Sequence, residues 1–155
     1  PLGVQRLGWK FDLKRFRVYL MDKYNINTAY YFIGYMKKNV KLYNYIESIG
    51  YTLVFRDISY KNQGLVKGNV DIDIVVKVYD EMDSFDKAVI VTSDGDFYPL
   101  LISLIRRDKL KAIISTTFNG TSYLLKKYGA NHINYIERSM DKLKKVEGPD
   151  LSTKS

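Results

Sequence analysis

The chain has 155 residues, a length that suits one domain with its own hydrophobic core. It contains no cysteine, which excludes disulfides, thiolate metal sites and cysteine nucleophiles and fits a cytoplasmic location. Its apolar runs are too short for a membrane span. Lysine and arginine outnumber aspartate and glutamate by 25 to 17, and the formal charge of +8 favours a polyanionic partner such as nucleic acid. A basic surface that serves only solubility would give the same charge.

The first part of the chain predicts two helix–strand pairs. Apolar periodicity and β-branched or aromatic runs predict helix, strand, helix and strand at residues 14–23, 28–34, 42–49 and 51–55 in turn. Asp12 lies near the start of the first helix, and Gly50 is a natural stop for the second. The polar stretch 57–68 contains two glycines and predicts a loop.

The second part continues the alternation. It predicts a helix from about residue 70, a strand at 87–92, a helix at 100–105, a strand at 111–115, a helix at 121–128, a strand at 132–136 and a basic helix at 137–145. The strand at 87–92 is apolar throughout, as expected when a parallel sheet is covered on both faces. The chain therefore predicts an α/β doubly wound sheet, with ligands beyond the carboxyl ends of its strands. Residues 1–146 are expected to form one domain, and 147–155 a flexible polar tail.

An acidic loop follows the strand at 87–92. Asp94 and Asp96 are separated only by Gly95, and the glycine permits a tight turn that directs both carboxylates into one crevice. Two carboxylates about 5 Å apart repel by roughly 3 kcal/mol at an effective dielectric constant near 20. A hard cation such as Mg²⁺ or Mn²⁺ would relieve that repulsion. The alternative is that one aspartate caps a helix that starts near Phe97.

A second acidic pair, Asp71 and Asp73, lies at a predicted helix start. Either side chain could cap the helix or interact with its dipole, and either could ligate a metal. The alternation of Val70, Ile72 and Ile74 would bury one side of this segment, so the two aspartates are not both ordinary surface residues. Beside the acidic loop, this pair would complete an acidic cluster.

Acidic ligands in a basic protein are typical of a site that cleaves phosphodiesters. A divalent metal bridges the phosphate and the attacking water, and nearby cations hold the nucleic-acid backbone. Each basic candidate could also be ordinary solvated surface. The candidate RNA contacts at or near predicted loops are Lys37, Lys38, Arg56, Lys61 and Lys67.

Two motifs in order resemble the NYN group of PIN-like nucleases. The first is Lys67–Asp73, and the second is Lys87–Leu100. Members of that group commonly show a lysine–glycine–valine–aspartate element, then a helix, then a strand that ends in a serine–glycine–aspartate–x–aspartate–phenylalanine loop. Ser93 occupies the usual glycine position here. The resemblance extends to Tyr31–Tyr35 and covers most of the chain through about Tyr135.

The resemblance implies a PIN-like three-layer α/β/α sandwich around a mostly parallel twisted sheet. It also implies a metal-dependent endoribonuclease that acts on RNA, with single-stranded regions the expected substrate and no membrane partner. The acidic ligand positions for Mg²⁺ or Mn²⁺ correspond to Asp71, Asp94 and Asp96. Asp73 is a further candidate ligand, and Thr92 or Ser93 could support the loop by hydrogen bonds.

The amino terminus departs from the family pattern. The family begins with a strand that ends in isoleucine–aspartate–glycine–x–asparagine, and nothing in Pro1–Lys10 matches it. We therefore expect this chain to lack a central strand and one ligand, to bind metal weakly and to cleave slowly if at all. Residues that precede Pro1 in the native protein could supply this strand, or a homodimer or a partner chain could complete the sheet.

Two other functions stay open at this stage. The first is an RNA-binding or assembly module with an incomplete, inactive nuclease site. The second is another Asp-x-Asp metal enzyme, such as a nucleotide-sugar transferase, which the short chain and its basic charge disfavour.

Overall fold

The computed structural model describes residues 7–58, 60–61, 64–65 and 70–146, in which helices and strands alternate. The α-helices are α1 (Leu13–Tyr24), α2 (Val40–Ser48), α3 (Val70–Asp80), α4 (Tyr98–Arg106), α5 (Tyr123–Gly129) and α6 (Met140–Leu143). The strands are β1 (Ala29–Gly34), β2 (Tyr51–Arg56), β3 (Tyr60–Lys61), β4 (Gly64–Leu65), β5 (Ala88–Val91), β6 (Leu110–Ser115) and β7 (Ile133–Tyr135). Short 3₁₀ segments span Lys37–Asn39, Gly95–Phe97 and Ile136–Ser139.

The predicted order of helices and strands is confirmed. Asp12 caps α1, because its side chain accepts hydrogen bonds from the backbone N–H groups of Lys14 and Arg15. Gly50 follows α2 with a φ of 103°, a conformation that favours glycine. The loop predicted over 57–68 is wrong in part, since β3 and β4 pair there as a short antiparallel ladder. Its residues 59, 62–63 and 66–68 lie outside the described residues, as does the predicted tail at 147–155.

The parallel strands of the described residues form two separate sheets. β1 pairs with β2, and β5, β6 and β7 pair in that order. Strand β5 lies within the layered fold, but its burial is incomplete. Only Ile90 is fully buried in this strand, and Val91 is 47% exposed. The edge of β5 nearest β1 carries no paired strand in the part of the chain described, which explains this exposure.

Helices cover both faces of the strands and give three layers. One apolar cluster includes Phe16 and Leu20 of α1, and a second includes Leu101 and Leu104 of α4. Strand β6 separates the two clusters, with regular alternation over residues 112–114 and a register shift against β5 between Leu110 and Ala112. Ala112 and Ile114 face the first, and Leu110 and Ile113 face the second. Among the described residues, no helix is both long and apolar enough to cross a membrane.

Helix α3 connects the two sheets. Its residues Ile74, Val75 and Val78 pack against the second cluster. In the turn directly after this helix, the Glu81 carboxylate accepts a hydrogen bond of 3.0 Å from the Tyr30 hydroxyl of β1. A cavity of about 1710 Å³ lies between the sheets and is lined by residues of both β1 and β5. The start of α3 borders this cavity, so the fold brings α3 and the carboxyl end of β5 to one place.

Candidate acidic centre

The acidic loop begins where β5 ends. Asp94 caps the 3₁₀ turn Gly95–Phe97, and its Oδ1 accepts a 2.9 Å hydrogen bond from the Asp96 N–H. The Asp94 N–H donates in turn to Oγ1 of Thr92 at 3.0 Å. Both aspartates are exposed. Capping therefore accounts for one oxygen of Asp94 and does not extend to the Asp96 carboxylate.

The tight turn that the sequence indicated is present as the 3₁₀ turn Gly95–Phe97, and packing against Ser122 also favours glycine at position 95. Its φ is not positive, so its backbone conformation is open to other residues. A β-carbon at this position would lie 2.3 Å from Oγ and 3.0 Å from Cβ of Ser122. Ser122 caps α5, and its backbone N–H donates to the carbonyl oxygen of Ser93 at 3.2 Å. The acidic loop thus lies directly against the start of α5.

A network of hydroxyl groups holds the acidic loop to the end of β6. Oγ of Ser93 lies 2.7 Å from Oγ of Ser115 and 2.6 Å from Oγ1 of Thr116. Ser115 also bonds Oγ1 of Thr121 at 2.6 Å. Ser115, Thr116 and Thr121 are buried, so these bonds satisfy hydroxyls that have lost water. The sequence suggested Ser93 as a support of the loop but not its partners Ser115 and Thr116, although the hydroxyl-rich run 115–122 after an apolar strand is a usable signal.

Asp71 faces the interior of the protein. It lies three and seven residues before Ile74 and Val78, which pack into the second apolar cluster on the same side of α3. The predicted burial of Ile72 is wrong, since that side chain is 55% exposed. A helix has a period of 3.6 residues, so the apparent alternation at 70–74 does not define a buried face.

The three carboxylates of the expected ligand set influence one another. Burial raises the pKa of Asp71, and the negative charges of Asp94 and Asp96 raise it further. Asp71 and Asp94 also line the same cavity between the sheets. The fold thus brings together an aspartate of α3 and two of the loop after β5, from distant parts of the chain.

The donor chemistry suits a hard cation, but the arrangement is incomplete. Carboxylate oxygens are the ligands that Mg²⁺ and Mn²⁺ prefer. Within the described residues, however, no group of three or more His, Cys, Asp or Glu side chains is arranged so that it could hold a metal ion. Asp71, Asp94 and Asp96 therefore interact through their charges without converging on one point.

Asp73 and Arg56 form an ion pair. Oδ1 of Asp73 lies 2.9 Å from Nη1 of Arg56, and each side chain is about one-third exposed. Arg56 ends β2 and Asp73 lies in the first turn of α3, so the pair links the β1–β2 sheet to the helix that carries Asp71. Asp73, a candidate metal ligand, is thus ion-paired with Arg56, a candidate RNA contact.

The remaining predicted RNA contacts are less fully described. Lys37 and Lys38 lie in the 3₁₀ segment after β1 and are exposed. Neither forms an ion pair within the residues that the structure covers. Lys61 belongs to β3, but its side chain lies outside the described part, and so does all of Lys67.

This chain has the three-layer α/β/α fold of a PIN-like domain. Its acidic side chains lie at the carboxyl end of a parallel strand and at the start of a facing helix. The chain belongs to the NYN domain family, which matches its residues 2–137. Membership links it to nuclease and RNA-related function.

Two further comparisons agree with this assignment. The chain is 27% identical over 122 residues to Low amplitude and bright protein LabA of Synechococcus elongatus (strain ATCC 33912 / PCC 7942 / FACHB-805), an alignment that covers 72% of this chain. The chain spans only 66% of that relative's length. Its fold resembles the crystal structure of a protein of unknown function, VPA0982, from Vibrio parahaemolyticus RIMD 2210633. The TM-score is 0.73 at 18% identity, over 93% of this chain and 88% of the other, and this confirms the α/β fold.

Proposed function

We propose that the chain is a metal-dependent endoribonuclease domain that hydrolyses RNA phosphodiesters at the acidic centre. The observation that carries the proposal is that Asp71 of α3 and Asp94 of the loop after β5 line one cavity, and the raised pKa of Asp71, caused by burial and by the charges of Asp94 and Asp96, is consistent with it. A fold that keeps three carboxylates within electrostatic reach gains stability when a cation binds between them. Mg²⁺ or Mn²⁺ is the cation that such oxygen donors favour.

The aspartates of the proposed site would bind the cation, and neighbouring hydroxyl residues would position them. Asp94 and Asp96 would hold the cation from the exposed loop, and Asp71 would approach it from α3. When bound, a divalent cation neutralises phosphate charge and makes a bound water more acidic. Thr92 and Ser93 keep the loop in place through hydrogen bonds to the Asp94 N–H and to the hydroxyls of β6.

The surrounding cations favour an RNA backbone. Lys37 and Lys38 are exposed just beyond the carboxyl end of β1, where they could contact phosphates. Arg56 lies at the equivalent end of β2 and is oriented by Asp73. Lys61 and Lys67 stay candidates for the same role. We infer single-stranded RNA as the substrate and the cytoplasm as the place of action, the latter from the lack of cysteine.

The divided sheet supports a second candidate, an RNA-binding or assembly module with an inactive site. In the described residues β1 and β5 leave facing edges unpaired, and no three-residue metal group is formed. One extended strand between these edges, from residues outside 1–155, from a second copy or from a partner chain, would join the two sheets. If that strand ended in a carboxylate, it would also complete the acidic centre. We therefore expect weak metal binding and slow cleavage from residues 1–155 alone.

A cleavage and binding experiment decides between the two candidates. Labelled single-stranded RNA is incubated with the chain in Mn²⁺ or in EDTA, beside Asp94→Asn and the distant control Asp108→Asn, and binding is measured at the same salt concentration. Slow cleavage that EDTA and Asp94→Asn abolish, and that Asp108→Asn keeps, supports the nuclease. Binding without any cleavage supports the module. Cleavage that survives Asp94→Asn overturns the proposed site, and fast cleavage refutes the need for an added strand.

A further inference from the structure

An exposed aromatic ring stands on the loop that follows β6. The Phe118 side chain is 49% exposed. Its backbone N–H donates a 2.8 Å hydrogen bond to Oε1 of Glu137, and its ring meets the Tyr135 ring edge-on, with the centroids 5.7 Å apart. The ring is therefore held in a defined place while half of it stays open to solvent.

A lysine lies over one face of this ring. Nζ of Lys126 lies 4.0 Å from the Phe118 ring centroid, the shortest such distance of a cation to a ring in the described residues. A second cation lies beside the neighbouring ring, since the Arg138 guanidinium is 4.7 Å from the Tyr135 ring centroid. An aromatic face beside cations is the combination that binds single-stranded nucleic acid, since the ring stacks on a base and the cations attract the phosphates.

The loop that carries Phe118 is joined to the acidic centre. Thr116 bonds the Ser93 hydroxyl at 2.6 Å, and the Ser122 N–H donates to the Ser93 carbonyl oxygen at 3.2 Å. Thr117, next to Phe118, lines the same cavity as Asp71 and Asp94. A nucleotide on Phe118 would thus be close to a phosphodiester held at the carboxylates.

We propose that Phe118 stacks on an unpaired RNA base and that Lys126 contacts the adjoining phosphate. This inference rests on the proposed function and adds the feature that selects unpaired RNA. In an RNA duplex the faces of the bases are covered by their neighbours, so the Phe118 ring has no base face to contact. Lys126 does not share this selectivity, because phosphates are present in both forms.

Binding measurements in EDTA, where cleavage cannot occur, test the role of the ring. Fluorescence anisotropy compares a labelled single-stranded RNA with its perfect duplex. Phe118→Ala and Phe118→Leu should each weaken single-strand binding by about tenfold and leave duplex binding unchanged, whereas Phe118→Trp should retain both. The leucine variant keeps apolar volume against Tyr135, so it separates stacking from packing. Tyr45→Ala, which removes a ring that is 51% exposed on α2, is the matched control and should change neither.

Salt dependence tests Lys126 separately. Lys126→Gln should reduce the slope of log affinity against log salt by about 0.7 for single-stranded RNA, the contribution of one phosphate contact. Lys87→Gln, at the opposite end of β5, should leave the slope unchanged.

The outcomes distinguish this inference from the proposed function. If the unaltered chain binds RNA and Phe118→Leu binds as well, or loses single-strand and duplex binding equally, the stacking role is overturned and the nuclease proposal stands. If the unaltered chain binds no RNA at low salt, both are overturned.

Discussion

Gly95 and Ser122 pack so closely that a β-carbon on Gly95 would lie 2.3 Å from Oγ of Ser122. The contact joins the acidic loop after β5 to the cap of α5, two elements that are 27 positions apart in sequence. The spacing of Asp94 and Asp96 is therefore fixed from outside the loop as well as within it. Any side chain at position 95 must move the loop, the cap or both.

Gly95→Ala should destabilise the fold by about 1–3 kcal/mol, the usual cost of overpacking. Ser122→Ala should cost about 0.5–2 kcal/mol through loss of the helix cap. The double variant removes the oxygen that clashes, so it should cost less than the sum of the two single changes. Urea unfolding of the four proteins measures the difference. Strict additivity would show that the contact between these residues is absent in solution.

Ser93→Ala should destabilise the chain by about 1–3 kcal/mol, because it removes the partner of the buried Thr116 hydroxyl and one of the two partners of the Ser115 hydroxyl, which keeps Thr121. Ser139→Ala is a suitable control, since its hydroxyl makes only a long 3.4 Å bond to Tyr19. Thermal unfolding of both variants checks the expectation. Equal, small losses would mean that the Ser93 network does not stabilise the loop.

Asp71→Asn should raise the melting temperature at pH 7 in EDTA. The pKa of Asp71 is raised by burial and by Asp94 and Asp96, so the folded chain holds the proton more tightly than the unfolded chain. The ionised carboxylate thus costs stability above the folded pKa, and the cost fades as pH falls through that value. The advantage of asparagine should fade over the same range. A destabilised Asp71→Asn at pH 7 would contradict the mutual repulsion of Asp71, Asp94 and Asp96.

Arg56→Ala and Asp73→Ala should each weaken the link between β2 and α3. A double-variant cycle should give a coupling energy of about 0.2–1 kcal/mol, since both side chains are one-third exposed and solvent screens the pair. Chemical denaturation measures it. A coupling energy of zero would mean that the 2.9 Å contact contributes nothing to stability.

The sequence predicted the order of elements because their signals are local. Asp12 caps α1, and Gly50 ends the turn after α2, as their residue types indicate. The acidic loop could be found for the same reason, since Asp94 and Asp96 directly follow an apolar strand.

The features that were missed depend on contacts between distant residues. Arg56 and Asp73 form an ion pair although they are 17 positions apart, and the hydroxyls of Ser93 and Ser115 are hydrogen-bonded although they are 22 positions apart. Ile72 was misassigned because five residues at a helix start fit a period of 2 as well as one of 3.6. Its exposure, and the inward direction of Asp71, become clear only when α3 is seen packed against the second apolar cluster.

Titration with Mn²⁺ tests the central claim most directly, that Asp71, Asp94 and Asp96 serve one cation. The electron paramagnetic resonance signal of free Mn²⁺ reports binding by the chain, by each aspartate-to-asparagine variant of the three, and by Asp108→Asn. We predict one weak site that Asp94→Asn and Asp96→Asn abolish, that Asp71→Asn weakens and that Asp108→Asn leaves intact. Mn²⁺ binding that is unchanged by Asp94→Asn, or equally reduced by Asp108→Asn, would contradict the account.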